Sequence, residues 1–352
     1  YLCLDIISIG IDSKLCVEAV KLLVALLCKF GGHTRVQRSI YQYLSNTDST
    51  LFFEELKELL EQLQVWCQRD AENASDPDLQ QNTSLPSEIF VLKLISSMCD
   101  GNFSANKNIM REQEGNSRFV NILDHLTGFV DLLSRIESPF CTKVAVRVIH
   151  TILCLMHGPC KGSQEYFVLH TELLTALNRL IRQSRPSLVF TLEWQQDVEI
   201  LKEYIIDVLR ASIEGLKSDS VVLERIQTAI EVNVLNMIIL PPETDEFGFS
   251  VDIDSLSRLQ AKHLVFLKST DDKNVEMPSN ALACIENDIA SVEVVWNQQL
   301  HRHYFHIPGL AKDLSESSKR KITEEVDFLT QEIKLNDFLR KARELHREGV
   351  HQ

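Results

Sequence analysis

Phe52, Leu56, Leu59/Leu60, Leu63 and Trp66/Cys67 step at three and four residues, drawing one apolar stripe along an uninterrupted run. Nothing else in the chain constrains the fold so strongly, because a stripe of that period has one solution, a helix buried on one side. Similar runs predict helices over Leu15–Phe30, Val36–Leu44, Asn116–Ser134, Phe140–Met156, Glu165–Arg182, Val198–Leu216 and Val221–Ile239, and Ile89 to Met98 is almost continuously apolar. Only 12 glycines and 9 prolines punctuate 352 residues, so few turn signals compete with helix. The breaks fall at Gly31-Gly32, Pro139, Gly158-Pro159, Pro186 and Pro241-Pro242. Helices of this length joined by short turns predict a mainly α protein, an armadillo-like helical solenoid whose layers bury their faces on one another. No strict repeat of fixed period is visible.

The C-terminal region breaks this rhythm. From Ser291 to Pro308, Val292, Val294 and Trp296 alternate with Glu293, the chain crosses Asn-Gln-Gln, and it returns through Tyr304 to Ile307. That pattern predicts a β-hairpin, which needs a third strand or a helix to cover it. A narrow stripe of Leu335, Phe338/Leu339, Ala342 and Leu345 follows, with Arg340, Lys341, Arg343 and Arg347 placed to complement a helix dipole. The expected organisation is a helical unit over 1–69, a linker over 70–85, a second helical unit over 86–240, a linker with one helix over 241–280, and a small C-terminal α+β unit over 281–352.

Charge and composition exclude several classes. A net charge of −14 argues against nucleic acid or an anionic membrane as an extensive partner, since both need clustered Lys and Arg. The nine cysteines (Cys3, Cys16, Cys28, Cys67, Cys99, Cys141, Cys154, Cys160 and Cys284) are odd in number and form no CxxC. They read as buried free thiols in a reducing compartment, which makes the sequons at Asn82 and Asn102 coincidental. No signal-peptide pattern opens the chain, and no window approaches the roughly 20 apolar residues of a membrane span. Tyr1 already lies inside an apolar pattern, so the chain reads as a piece of something larger. No GxGxxG, Walker A or GxSxG motif is present, and the expectation is a protein that is not an enzyme. "DIDSLSRLQAKH" from Asp252 opens like an EF-hand, but Ser257 stands where the turn needs glycine and His263 where it needs a bidentate acid. "DDKNVE" at Asp271 lacks a third carboxylate. His301, His303 and His306 crowd one strand without an acid or thiol partner, and read as structural.

Four blocks in order carry a resemblance that covers nearly the whole chain. "GGHTRVQRSIYQYL" (Gly31–Leu44), followed by "LFFEELKELLEQ", resembles the helical homology region shared by inositol trisphosphate receptors and ryanodine receptors. "NIMREQEGNSRFVNIL" (Asn108–Leu123), with "GPCKGSQ" (Gly158–Gln164) downstream, is similar to that family's associated region. The "YFHIP" hairpin, "SESSKRKI" and "KLNDFLRKARELHRE" resemble its juxtamembrane segment, closer to the inositol trisphosphate receptors.

The resemblance implies a regulatory and coupling region of an intracellular calcium-release channel on the cytosolic face of the endoplasmic reticulum. The full protein would be a homotetramer, with ligand-binding domains upstream and the pore downstream as partners. It implies a calcium position with one ligand at Asp100 and another at Cys154, both of which the family fills with Glu. Asn102 and His157 would lie beside them. Calcium wants hard oxygen at about 2.3–2.6 Å, and a thiol is a poor substitute, so binding here is expected to be weak or absent. The resemblance also implies ATP as a modulator, with Lys319 and Arg320 on its phosphates and Glu316 opposing them. The competing expectation is a free-standing armadillo-type scaffold that grips a partner peptide.

Overall fold

The computed structural model describes residues 1–10, 13–27, 34–46, 49–73, 85–101, 103–113, 119–157, 160–183, 192–214, 220–230, 289–296, 299–306, 315, 317–318, 321 and 331–349. The fold is mainly helical. Two compact units divide it, Tyr1–Glu276 and Met277–Gln352.

In the first unit the order is α1 (Leu2–Ile9), α2 (Ser13–Leu27), α3 (Thr34–Asn46), α4 (Thr50–Asn73) and a 3-10 turn (Ser87–Ile89). Then come α5 (Phe90–Cys99), α6 (Ser104–Arg111), α7 (Ile122–Leu133), α8 (Pro139–Met156), α9 (Lys161–Leu169), α10 (Leu173–Gln183), α11 (Leu192–Ile213) and α12 (Val221–Ala229). The stripe of α4 is inside except at Trp66, which is 44% exposed: Phe52, Phe53, Leu56, Leu60 and Leu63 expose no surface. Burying a side chain of that size contributes on the order of 1.5–3 kcal/mol.

Packing follows a rule of three. The second helices stack as α2 on α5, α5 on α8 and α8 on α11; the first helices as α1 on α4, α4 on α7 and α7 on α10; and the third as α3 on α6, α6 on α9 and α9 on α12. Each layer is therefore a triplet whose members meet their counterparts in the next layer. Helices on either side of residues 74–84 belong to this one stack: α2 and α4 both pack on α5.

Local chemistry moves several helix ends from where the apolar pattern puts them. Over Glu165–Arg182 there are two helices, separated at His170–Glu172, where Thr171 Oγ1 donates to the Phe167 carbonyl and accepts from the Leu173 amide. A hydroxyl that satisfies both neighbours stabilises a break that hydropathy does not register. The helix expected from Asn116 starts at Ile122, because the Asn121 side chain accepts from the Leu123 amide at 3.0 Å. α4 runs on through Asn73, and Asp70 accepts a hydrogen bond from Ser138 Oγ at 2.6 Å. Pro139 begins α8 at its first turn, behind Ser138 as N-cap.

Against the expectation that no window suits a membrane span, one helix has the length and apolarity for it. Pro139–Met156 is 18 residues long with a mean hydropathy of 1.5, long and apolar enough to cross a membrane by length and composition. It is the central helix of the stack, packed by α5, α7 and α11, with Phe140, Val144, Val148, Ile149, Ile152 and Leu155 buried. Arg147 stays exposed and Lys143 reaches Glu193, so this apolar length belongs to a helix buried over most, not all, of its circumference.

In the second unit, β1 (Ile289–Trp296) and β2 (Gln299–His306) pair antiparallel, in register from Ile289 opposite His306 to Trp296 opposite Gln299. His301 and His303 stand opposite Val294 and Val292. The helix α13 (Gln331–Gly349) follows. On it Arg340 and Lys341 each meet the Asp337 carboxylate at 2.8 Å and hold its pKa below the usual range. Lys321 reaches Glu344 at 2.7 Å, tying the chain before α13 to that helix.

Candidate functional site

Asp100 ends α5 as its C-cap, with extended backbone (φ −63°, ψ 142°), and Gly101 follows at φ +81°. That left-handed conformation favours glycine, which explains the Asp-Gly pair. The turn is not loose, because buried side chains hold its carbonyls. Gln37 of α3 donates from Nε2 to the carbonyls of Ser97 (3.1 Å) and Asp100 (2.7 Å). Asn106 of α6 donates to the Met98 carbonyl at 2.8 Å. Lys107, only 1% exposed, donates from Nζ to the Gly101 carbonyl at 2.9 Å and to the His157 carbonyl. A helix end inside a protein has four carbonyls that need donors, and here the donors come from other helices.

Cys154 lies in the last turn of α8 and His157 caps that helix. The Cys154 thiol is buried and its pKa is pushed up to about 12, by burial first and by the Asp100 charge second, with Lys107 and Lys93 opposing. It is therefore a neutral thiol at physiological pH. Its sulfur lies 3.9 Å from His150 Nε2, and the His150 ring meets Tyr204 edge-on at 5.1 Å. The mostly exposed His157 side chain turns to Glu214, 3.2 Å away at the end of α11. That carboxylate raises the His157 pKa, against the opposing pull of burial.

These donors do not fit calcium. The turn offers one carboxylate, the thiol is neutral and soft, and the imidazole of His157 is directed at Glu214. A buried ammonium already takes carbonyl oxygens from both the Asp100 turn and the α8 end. Among the described residues no group of three His, Cys, Asp or Glu side chains is placed to hold a metal. Asn102, Lys319 and Arg320 lie outside the described residues.

Sequence reasoning missed the residues that do most here: Gln37, Asn106, Lys107, Gln113 and Gln164. Gln113 closes the segment before α7 on itself, donating to the carbonyls of Ile109 and Val120 (3.1 Å for the latter) and accepting from the Val120 amide at 2.8 Å. Gln164 of α9 donates to the carbonyls of Ala211 (2.6 Å) and Glu214 (2.9 Å). The available signal was a polar residue on an otherwise buried helix face: Gln37 beside Ile40, and Lys107 between Asn106 and Met110. Among known families, residues 80–181, the stretch from just before α5 into α10, match the one described as RyR and IP3R Homology associated.

Proposed function

Since the chain carries the homology-associated region of the ryanodine and inositol trisphosphate receptors, we propose that it is a cytosolic regulatory and coupling region of an intracellular calcium-release channel, relaying ligand-driven movement to the pore. The family match over residues 80–181 carries this reading. Three further features support it. The succession of helix triplets, each packed on its counterpart three helices earlier, suits an armadillo-like solenoid, a form that transmits movement from layer to layer. Tyr1, Leu2, Ile9, Leu22 and Leu26 of the first layer are each more than half exposed, as befits a layer on which another part of a larger polypeptide rests. The strand pair and α13 of the second unit suit a compact joint near a membrane.

On this reading the inositol trisphosphate branch is the nearer one, by the "YFHIP" and "KLNDFLRKARELHRE" blocks. The whole channel would be a tetramer in the endoplasmic reticulum membrane, and this part would act without catalysis. ATP would bind through Lys319 and Arg320 of the second unit. Coupling requires contacts that differ between the closed and open states. The test is genetic and functional together. The flanking coding sequence should encode pore helices after Gln352, and deletion of residues 80–181 from the full-length protein should abolish ligand-evoked calcium release from microsomes while tetramers still form. A flanking sequence without membrane helices would overturn the reading and leave a peptide-binding scaffold.

A further inference from the structure

Three helix ends in the first unit are held by the same device. The fourth residue of α3, Gln37, reaches the carbonyls at the end of α5; the fourth residue of α9, Gln164, reaches those at the end of α11. In both cases one amide nitrogen serves the carbonyls of two residues three apart, Ser97 and Asp100 in the first and Ala211 and Glu214 in the second. The middle rung belongs to α6 and α8. Its fourth residue is Lys107, and the Nζ donates to the carbonyl of His157, the residue that corresponds to Asp100 and Glu214. His157 and Glu214 lie 57 residues apart in the chain, and Asp100 precedes His157 by the same interval. All three clamping side chains are at most 1% exposed.

Lys107 differs from the glutamines in two ways. It carries a full charge into a buried site, and it grips two layers at once, since its second acceptor is the Gly101 carbonyl, next to Asp100. An ammonium is a compact cation with three donors. Burying one without compensation costs several kcal/mol, so a lysine is retained here only where oxygens and negative charge converge. The site meets that need with carbonyl oxygens from both helix ends, and Asp100 puts a negative charge into the same junction, felt at Cys154. Its field extends through the junction, acting on Cys99, Cys154 and His157.

We propose that the Lys107 ammonium is the resident cation of this junction, clamping the Asp100 turn to the end of α8, so that the two are joined permanently and without calcium. The calcium half of this inference rests on the channel-family reading, which places a divalent ion between Asp100 and Cys154. The clamp itself rests only on hydrogen bonds. In a channel of this family the consequence is a coupling region whose geometry at this joint does not respond to calcium.

Thermal unfolding of the 352-residue chain, in EGTA and in 1 mM calcium chloride, tests both halves. The wild type is expected to melt within about 1 °C in the two buffers, since calcium adds stability only by binding the folded state. Lys107→Met is expected to melt at least about 3 °C lower in both, having lost two buried hydrogen bonds from a charged donor. Lys107→Gln should fold, because glutamine fills the neighbouring rungs, and should melt below the wild type. A calcium-dependent rise of more than about 2 °C in the wild type, abolished by Asp100→Ala, would overturn the proposal. So would a Lys107→Met chain as stable as the wild type, or a Lys107→Gln chain that is more stable. If Lys107→Met does not fold, the wild-type calcium comparison and the glutamine variant still decide. The family reading fails separately, by the absence of pore helices in the flanking coding sequence.

Discussion

Replacing Gln37 by Met tests whether a single amide holds the first rung. Methionine nearly conserves volume and length, so the packing of α3 on α6 is retained while the Nε2 donor disappears. Two carbonyls then lose their partner. Ser97 O is buried, and leaving it unpaired costs on the order of 1–3 kcal/mol. Asp100 O is partly accessible and recovers some of its loss through water, leaving about 0.5–1 kcal/mol. Burying a thioether in place of an amide returns a fraction of this, so the net destabilisation should be about 2 kcal/mol. That is roughly a 30-fold change in the opening equilibrium of the α3–α5 junction. Hydrogen exchange read by mass spectrometry is the suitable assay, because it resolves local opening from global unfolding. Amides of the last turn of α5 and the first turn of α6 should lose roughly 30-fold in protection, while α10–α12, several layers away, keep theirs. Unchanged protection at residues 97–104 would refute the clamp reasoning, and equal loss throughout the unit would show that Gln37 matters to the whole stack and not to one junction.

Three further outcomes follow from the same structure. A Cβ at Gly162 would collide with Arg111 Nη1; that nitrogen is the far end of a flexible side chain, so Gly162→Ala should displace the guanidinium at small net cost, about 0.5 kcal/mol or less once alanine's better helix propensity is set against it, read as a urea midpoint close to that of the wild type. Burial first, and the Lys57 charge second, depress the His125 pKa below its ordinary 6.5, against weaker opposing pulls from Glu61 and Asp124. The stability that neutral His125 contributes is complete above the unfolded value and is lost as pH falls through the folded one; His125→Phe should flatten the pH dependence of unfolding below about pH 6.5. Cys154, neutral and buried, should resist iodoacetamide at pH 8 until the chain is unfolded, whereas the partly accessible Cys3 reacts in the native state. Peptide mapping distinguishes the two, and rapid native labelling at Cys154 would contradict its burial.

How far the fold could be read in advance depended on which force set each feature. The stripe of α4 and the apolar length of α8 come from burial, a term that leaves its period in the sequence, and both helices lie where that period puts them. The break at His170–Glu172 and the late start of α7 come from single hydrogen bonds by Thr171 and Asn121. Such a bond shifts a helix end by a turn without disturbing hydropathy. Asp100-Gly101 was visible as a special turn, and glycine's tolerance of positive φ explains why. The site around it was less legible. Asp100 and Cys154 were picked out by resemblance, yet Lys107, which joins the two helix ends, was marked only by its place among the buried positions of α6 beside Asn106 and Met110.

The chain by itself determined that helices form, which faces they bury and that the seven described cysteines are free thiols, because those outcomes follow from local periodicity and composition. Only the tertiary structure decided that Gln37, Lys107 and Gln164 perform one task at three successive layers. The spacing of 57 residues is carried by which carbonyl ends up without a donor, not by any recurring residue type. A glutamine and a lysine satisfy that demand equally well as donors but differ by a full charge. That difference becomes consequential only when stacking brings the ends of α5 and α8 around the same buried nitrogen.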